Sequence, residues 1–392
     1  MQILKRITQK LQYLDYFIFI PYIILSGIGV VMVYSASSYK VQMAGGDPTT
    51  YLKKQLLFAI LGLLVAFLIY SMKVNFFKSS GFIILFGAVS ILLLLYVVLS
   101  GKTVNGAAGW INFGSFNIQP AEISKIFLVL FMAQQVAFRE NKELSYEGRN
   151  KRRFIYAIAV VLPLILILIE PDVGGFIINF SAVLIIILAS GYSIGITSLI
   201  SVGGMGTLMI LLSKLKSVSP DSGGPLAYMA KRFSGFNDPF KYQQSTGQQL
   251  VNSYYALSNG GIFGAGLGNS IQKRGYLPEP YTDFILAITG EELGLLMVFF
   301  ILILLFSMIG RIIFIGSKSK ETFHSLCCYG IATFMTVQTV FNVGGISGVL
   351  PITGVTFPFL SYGGSSMLIL SFCVGLVLNI SALRKKELLN NK

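Results

Sequence analysis

The chain has 392 residues, of which 54% are hydrophobic and only 12% charged, well below the quarter or so of charged residues in soluble domains. Repeated apolar runs of about 20 residues match the length that crosses a hydrocarbon core. Composition therefore excludes an ordinary soluble domain and leaves an all-α polytopic membrane protein. The net charge of +14 raises nucleic acid as a partner, but the placement of the basic residues argues against it.

Hydropathy places ten spans near 16–36, 55–72, 79–99, 122–138, 155–169, 174–190, 195–213, 283–310, 322–343 and 364–383. The first is too long for the apolar stretch of a cleavable signal, so none is expected. With these spans, one side of the membrane collects the N-terminus, Lys73 and Lys78, the 139–153 and 311–320 loops, and the C-terminus. These hold 18 of the 30 Lys and Arg, against four (Lys40, Lys53, Lys54 and Lys102) in the short loops opposite. The positive-inside rule makes the first side cytoplasmic, with both termini inside. No repeat or soluble domain interrupts the chain: it reads as a single membrane domain, 1–392, with one large extracellular loop, 214–282. Cys327, Cys328 and Cys373 sit in apolar segments and read as small hydrophobes rather than a disulfide framework.

Four polar, turn-rich segments fall on the outer side: Gly101 to Lys125 with the only tryptophan, Trp110; Glu170 to Gly175 (EPDVGG); the long loop; and Asn342 to Ser366. Irregular backbone at membrane depth is tolerated only when buried in protein or lining a watery cavity, so these segments imply a cavity open to the outside. Seven basic residues in the long loop, among them Lys231, Arg232, Lys273 and Arg274, suggest an anionic substrate or contact with anionic lipid headgroups.

Four of the 16 acidic residues (Glu279, Asp283, Glu291 and Glu292) lie within 14 positions at the start of the eighth span. Ionisable groups there are expensive and point to function. On a straight helix headed by Asp283, Glu291 lies about 80° round and about 12 Å deeper, and Glu292 faces the other way. Asp283 and Glu291 would then share one cavity, while Glu292 meets another helix. The alternative for Asp283 is a helix N-cap. The only histidine, His324, falls at the cytoplasmic end of the ninth span, so proton chemistry outside rests on carboxylates, Asp283 first. Glu122 and Lys125 sit three apart, side by side on a helix. They are either a capping pair or a buried cation that contacts phosphate or holds a carboxylate in place.

NGAAGWI at 105–111, IQPAEISK at 118–125, EPDVGG at 170–175, GLGNSIQKRGYLPEPYTDFI at 266–285, GEELG at 290–294 and GGISGVLPITGVTFPFLSYGGSS at 344–366 resemble the SEDS family, the group of FtsW, RodA and SpoVE. The wording at GAAGWI and KRGYLPE is more similar to division-type FtsW members from Gram-positive bacteria than to RodA. The resemblance implies a peptidoglycan glycosyltransferase that polymerises lipid II at the outer face of the plasma membrane, for septal wall synthesis. The family's essential aspartate matches Asp283, the base that deprotonates the attacking sugar hydroxyl as undecaprenyl diphosphate leaves. Lys125, Lys231, Arg232, Lys273 and Arg274, or a bound magnesium or manganese ion, would stabilise the diphosphate. Trp110, Glu122, Glu279, Glu291 and Ser361 are further candidates to bind substrate or support the site.

The expected partners are a class B penicillin-binding protein transpeptidase and other membrane proteins of the division machinery. Two departures stand out: Ala108 and Gly109 replace a pair of arginines common in relatives, and Tyr281 replaces a frequent histidine. A lipid II flippase, a RodA-type elongation polymerase and a scaffold are the competing readings. A flippase needs a polar cavity that continues to the cytoplasmic side.

Overall fold

The computed structural model describes residues 10–100, 109–112, 114, 117–140, 146–191, 195, 198, 202–204, 206 and 233–390, with the side chains of 140 and 146–155 left aside. Its helices are α1 (Tyr16–Met43), α2 (Thr50–Ser71), the short α3 (Val74–Phe77), α4 (Ser80–Ser100), α5 (Pro120–Glu140), α6 (Tyr146–Ile169), α7 (Val173–Ala189), α8 (Gln248–Gly260), α9 (Ile285–Ser317), α10 (Thr322–Ser347) and α11 (Gly364–Asn390). A two-residue ribbon, β1 (Ile111–Asn112) antiparallel to β2 (Asn117–Ile118), precedes α5.

Among the described residues, α1, α2, α4, α5, α9, α10 and α11 are long and apolar enough to cross a bilayer, and Tyr156–Ile169 and Val173–Ala189 are shorter apolar helices. Nine of the ten expected spans thus have a helix. Most of the 195–213 span, and Lys231 and Arg232, lie outside the described residues.

Bilayer-facing helices pack on one another through small residues, because lipid offers no hydrophobic gain for their association. At Gly62 of α2 an added Cβ would meet the Ser371 hydroxyl of α11, and at Gly375 it would meet the Ala66 carbonyl. Between α9 and α10, Gly316 leaves room for Cys328. At one end of the bundle α1, α9 and α11 are stitched by buried Asp15, which accepts from Arg311 at 2.9–3.2 Å and from Ser381 at 2.9 Å.

The eighth span departs from a straight helix headed by Asp283. α9 begins at Ile285 with Phe284 as its N-cap, and it is broken at Gly294 (φ 76°, ψ 172°). Asp283 is therefore in the preceding turn, not at the capping position. The loop after α8 fills the break: Ala265 and Gly266 amides donate to the carbonyls of Glu291 and Glu292, and Leu295 and Leu296 amides donate to Gly261 and Ile262. Gly264 and Gly294, both at positive φ, lie where a Cβ would collide with the opposing backbone, which explains glycine at each.

Candidate active site

Asp283 is half-buried in the turn 281–284 and lines a narrow crevice with Phe341, Asn342, Gly345, Ile352, Thr353 and Val355. Three groups fix the turn through its backbone carbonyls. Asn342 Nδ2 donates to Asp283 O and to Val355 O, both at 2.8 Å. Ser361 Oγ donates to Thr282 O at 2.7 Å while accepting from Phe357 N at 2.7 Å. The Tyr362 amide donates to Tyr281 O at 2.8 Å. These clamps hold the main chain and with it the place of the Asp283 side chain. Ser361 belongs to this clamp rather than to an open binding surface.

The segment that supplies Ser361 is itself tightly shaped. Phe359 takes a left-handed conformation (φ 62°) and packs edge-on against Tyr22 at 5.3 Å between ring centroids. Gly29 of α1 leaves room for the Phe359 carbonyl. A non-glycine residue at positive φ persists only where the surroundings over-determine it. Tyr51, Tyr281 and Tyr362 form a ring cluster beside the Asp283 turn, with centroids 4.6, 4.8 and 5.9 Å apart. Burial pushes the Tyr281 phenol above its ordinary range, and its bond to Tyr51 adds to this; the group stays neutral. Lys40 bonds Pro278 O at 2.8 Å and stands over the Tyr281 ring. It brings an exposed cation to the turn that the sequence reading did not single out.

The other acids have separate tasks. Glu291, 1% exposed, accepts from Ser270 Oγ, from the amides of Ile271 (3.0 Å) and Gln272 (3.3 Å), and from Asn259 Nδ2 (3.3 Å). Its carboxylate is thus turned into the loop and does not line the Asp283 crevice. The straight-helix arithmetic that put the two in one cavity fails because Asp283 precedes the helix. Glu292, fully buried, meets another helix as expected. It accepts from Ser35 Oγ of α1 at 2.7 and 2.8 Å and pairs with Lys273 Nζ at 2.6 Å. Lys273 is 5% exposed, so its ammonium is committed inside the protein and is not presented to an anion at the surface. Arg274 is exposed nearby, and Glu279 accepts from Thr282 Oγ1 at 3.2 Å within the Asp283 turn.

Lys125, 1% exposed, pairs with Glu122 at 2.7 Å and lies 3.4 Å from Gln338 Oε1. Gln338 in turn donates to Thr356 O at 2.9 Å. One helical turn further along α10 stands Asn342, which holds Asp283. The pair therefore braces the α10 face that supports the site, rather than reaching the crevice itself.

Behind that face, Asp172 caps α7 through the Gly175 amide (2.7 Å) and accepts from Gln119 Nε2 (2.9 Å). Glu170, in the turn between α6 and α7, is buried beside Gly109, next to the half-buried Trp110. Neither of its oxygens has a hydrogen-bond partner among the described residues. Burial, together with the nearby Asp172 charge, pushes its carboxyl up to about 8. Sequence reading saw EPDVGG as cavity lining but gave no role to Glu170, Asn342 or Gln338. Polar residues inside an apolar helix were the available signal for the last two.

A larger cavity, lined by Ile185, Leu188, Ile313, Tyr329 and Thr336 among others, shares no residue with the Asp283 crevice. No group of three or more metal-ligating side chains gathers among the described residues.

The family model FTSW_RODA_SPOVE, "Cell cycle protein", matches residues 16–386. The chain is 39% identical to "Probable peptidoglycan glycosyltransferase FtsW" of Lactococcus lactis subsp. lactis (strain IL1403), covering 96% of this chain and 94% of that one. It is 37% identical to the protein of the same name from Bacillus subtilis (strain 168), over 96% and 92%. "Stage V sporulation protein E" of the same organism is 33% identical, over 94% and 96%.

The fold is similar to a chain in the structure "Structural coordination of polymerization and crosslinking by a peptidoglycan synthase complex", with TM-score 0.72 and 25% identity over 95% of this chain and 98% of that one. It is also similar in fold to Thermus thermophilus "Rod shape determining protein RodA", with TM-score 0.65 and 23% identity over 95% and 97%. With a family match across nearly its whole length and its apolar helices, the chain is a multi-pass membrane protein of the FtsW/RodA/SpoVE family.

Proposed function

We propose that this protein is a peptidoglycan glycosyltransferase of the division type. It polymerises lipid II at the outer face of the bacterial plasma membrane, with both termini cytoplasmic and the 214–282 loop outside. The observation that carries the reading is a half-buried carboxylate, Asp283, in a turn whose carbonyls are clamped by Asn342, Ser361 and Tyr362. Clamping the backbone fixes where that carboxylate stands relative to a substrate at the crevice. Asp283 takes the proton from the attacking sugar hydroxyl as the glycosidic bond forms and the diphosphate departs with the electron pair of the broken bond. Such proton transfer contributes roughly 10²–10⁴-fold to rate.

The anionic leaving group needs compensating charge, which is a large term in a water-poor site. Lys40 is an exposed cation held beside the turn, and Arg274 is exposed on the loop nine residues before Asp283; Lys125 and Lys273 act one layer behind, by holding α10 and the loop. Magnesium binds through one or two carboxylates plus substrate phosphates, and Glu279, beside the turn at Thr282, is the carboxylate that would hold such an ion, or manganese, leaving Asp283 for the proton. The ion would add positive charge against the diphosphate.

The "peptidoglycan synthase complex" that coordinates "polymerization and crosslinking" supports a class B penicillin-binding protein as partner, alongside other division membrane proteins; no nucleic acid is involved. The flippase reading needs a polar passage between the two faces. Between the Asp283 turn and Arg311, the only polar side chains of α9 are Thr289, Glu291, Glu292 and Ser307, and the first three lie in its first two turns.

The test is reconstitution of the purified protein with its transpeptidase partner and lipid II. Glycan strands are the expected product, and lipid II movement across the bilayer without strands would favour the flippase. A cysteine at Ser219 should react with an impermeant reagent in intact cells; reaction only after lysis would reverse the orientation.

A further inference from the structure

Gly261–Gln272 follows α8 and contains no charged residue. It is fastened to α9 at both ends, by the backbone exchange across the Gly294 break and by the Glu291 carboxylate on Ser270, Ile271 and Gln272. A segment held this firmly cannot swing its apolar side chains inward, yet Phe263 is 81% exposed and Ile262 58%, and Leu267 and Ile271 are also exposed. Exposed apolar groups gathered in one patch mark a surface that meets something apolar.

What they meet is indicated by the next residues of α9. Leu295 and Leu296, whose amides bond Gly261 and Ile262, are exposed, as are Phe299, Phe300 and Ile303 along the same helix. These belong to the side of a membrane span that faces lipid. From Leu295 to Arg311 is 16 steps of about 1.5 Å, roughly 24 Å, which fills most of a core about 30 Å thick. The charged Arg311–Asp15 pair stands at its far end. The Gly294 break therefore lies near the boundary between hydrocarbon and headgroups, and the hairpin docked there continues the lipid-facing surface without a gap. Arg274 and Tyr276, both exposed, follow immediately. Basic and aromatic residues are the side chains that settle at the headgroup level.

We infer that the 261–272 hairpin is a membrane-surface anchor whose Ile262, Phe263, Leu267 and Ile271 insert into the lipid leaflet beside α9. The anchor sets the height of the loop relative to the bilayer. Through Glu291 and Glu292 it ties that height to α9, two residues beyond Asp283. A lipid-borne substrate would then meet the Asp283 turn at a fixed depth, a consequence that rests on the proposed function although the anchoring itself does not.

The test uses the full chain in nanodiscs of phosphatidylethanolamine and phosphatidylglycerol. A Phe263→Cys variant carries an environment-sensitive NBD label, with a Tyr242→Cys label as the aqueous control. Cys327, Cys328 and Cys373 are buried and should stay unlabelled. The Phe263 label should emit to the blue of the control. Nitroxide lipids spin-labelled near the headgroup should quench it several-fold more strongly than the control, and iodide several-fold less. Iodide quenching equal to the control, with no effect of nitroxide lipids, would place the hairpin in water and overturn the inference. Protection from both quenchers would mean a protein surface covers it and would overturn it equally. Because a label at 263 could disturb the hairpin, Leu267→Cys provides a second reading that must show the same pattern. The lipid assay requires no catalysis, so its result separates the anchor from the proposed activity.

Discussion

Replacing Lys273 with methionine leaves Glu292 as a fully buried carboxylate with only Ser35 to satisfy it. At 2.6 Å the attraction lost is about 6 kcal/mol for an effective dielectric near 20, and removing one partner of a buried pair costs about 3–5 kcal/mol once solvation is counted. Lys273→Met should therefore lower membrane abundance and the unfolding midpoint of the purified protein sharply, as should Glu292→Leu. The double variant, Lys273→Met with Glu292→Leu, removes both charges and should recover most of the loss, since buried pairs are often replaceable by apolar residues at little cost. Denaturant unfolding in detergent gives the coupling energy directly, and lipid II polymerisation shows whether activity returns with stability. If Lys273 were instead a diphosphate ligand, the double variant would fold and stay inactive. Additive losses in the double variant would refute the buried-clamp reasoning itself.

Asn342→Ala leaves the Asp283 and Val355 carbonyls without their donor. Polymerisation should fall by about 10²-fold, the scale of a small misplacement of a reacting group, with the loss in kcat rather than KM. Lys125→Ala strands the buried Glu122 carboxylate and loosens the Gln338 face of α10, so initial rates of glycan formation should drop strongly; a full rate at normal abundance would contradict this. Glu170 contributes stability while protonated. Its carboxyl is raised from 4.5 to about 8, so the contribution is complete below about pH 4.5, declines as pH rises, and is gone above about 8. Glu170→Gln should flatten the dependence of the unfolding midpoint on pH across that window.

Much of the fold was legible because bilayer crossing imposes a hydrophobic length that the sequence must display. Helix length was less legible. Hydropathy ends the first span at 36, whereas α1 runs to Met43, and it opens the fifth at 155, whereas α6 starts at Tyr146. Polar residues continue a helix beyond the membrane without leaving a hydropathy signal. α9 reaches Ser317 through Gly310 and Gly316, where close packing on α10 explains glycine at 316 better than a helix stop.

In the candidate site, the motifs located Asp283, Glu122 and Lys125, and angular reasoning turned Glu292 toward another helix. The division of labour among the acids was hidden. It depends on a loop some twenty to thirty residues upstream inserting into α9 at Gly294, and a contact of that kind leaves no local periodicity. The same holds for Lys273, whose partner is set by how the loop folds back.

The central claim is that Asp283 is the base. Asp283→Asn keeps the size of the side chain and leaves untouched the backbone clamp from Asn342, Ser361 and Tyr362. The variant should insert, fold and bind its partner as the parent does. Asparagine cannot take a proton at neutral pH, so the initial rate of lipid II polymerisation, measured at equal protein with the partner present, should fall by about 10²–10⁴-fold. A rate within a few-fold of the parent, from protein of normal abundance and unfolding midpoint, would contradict the account.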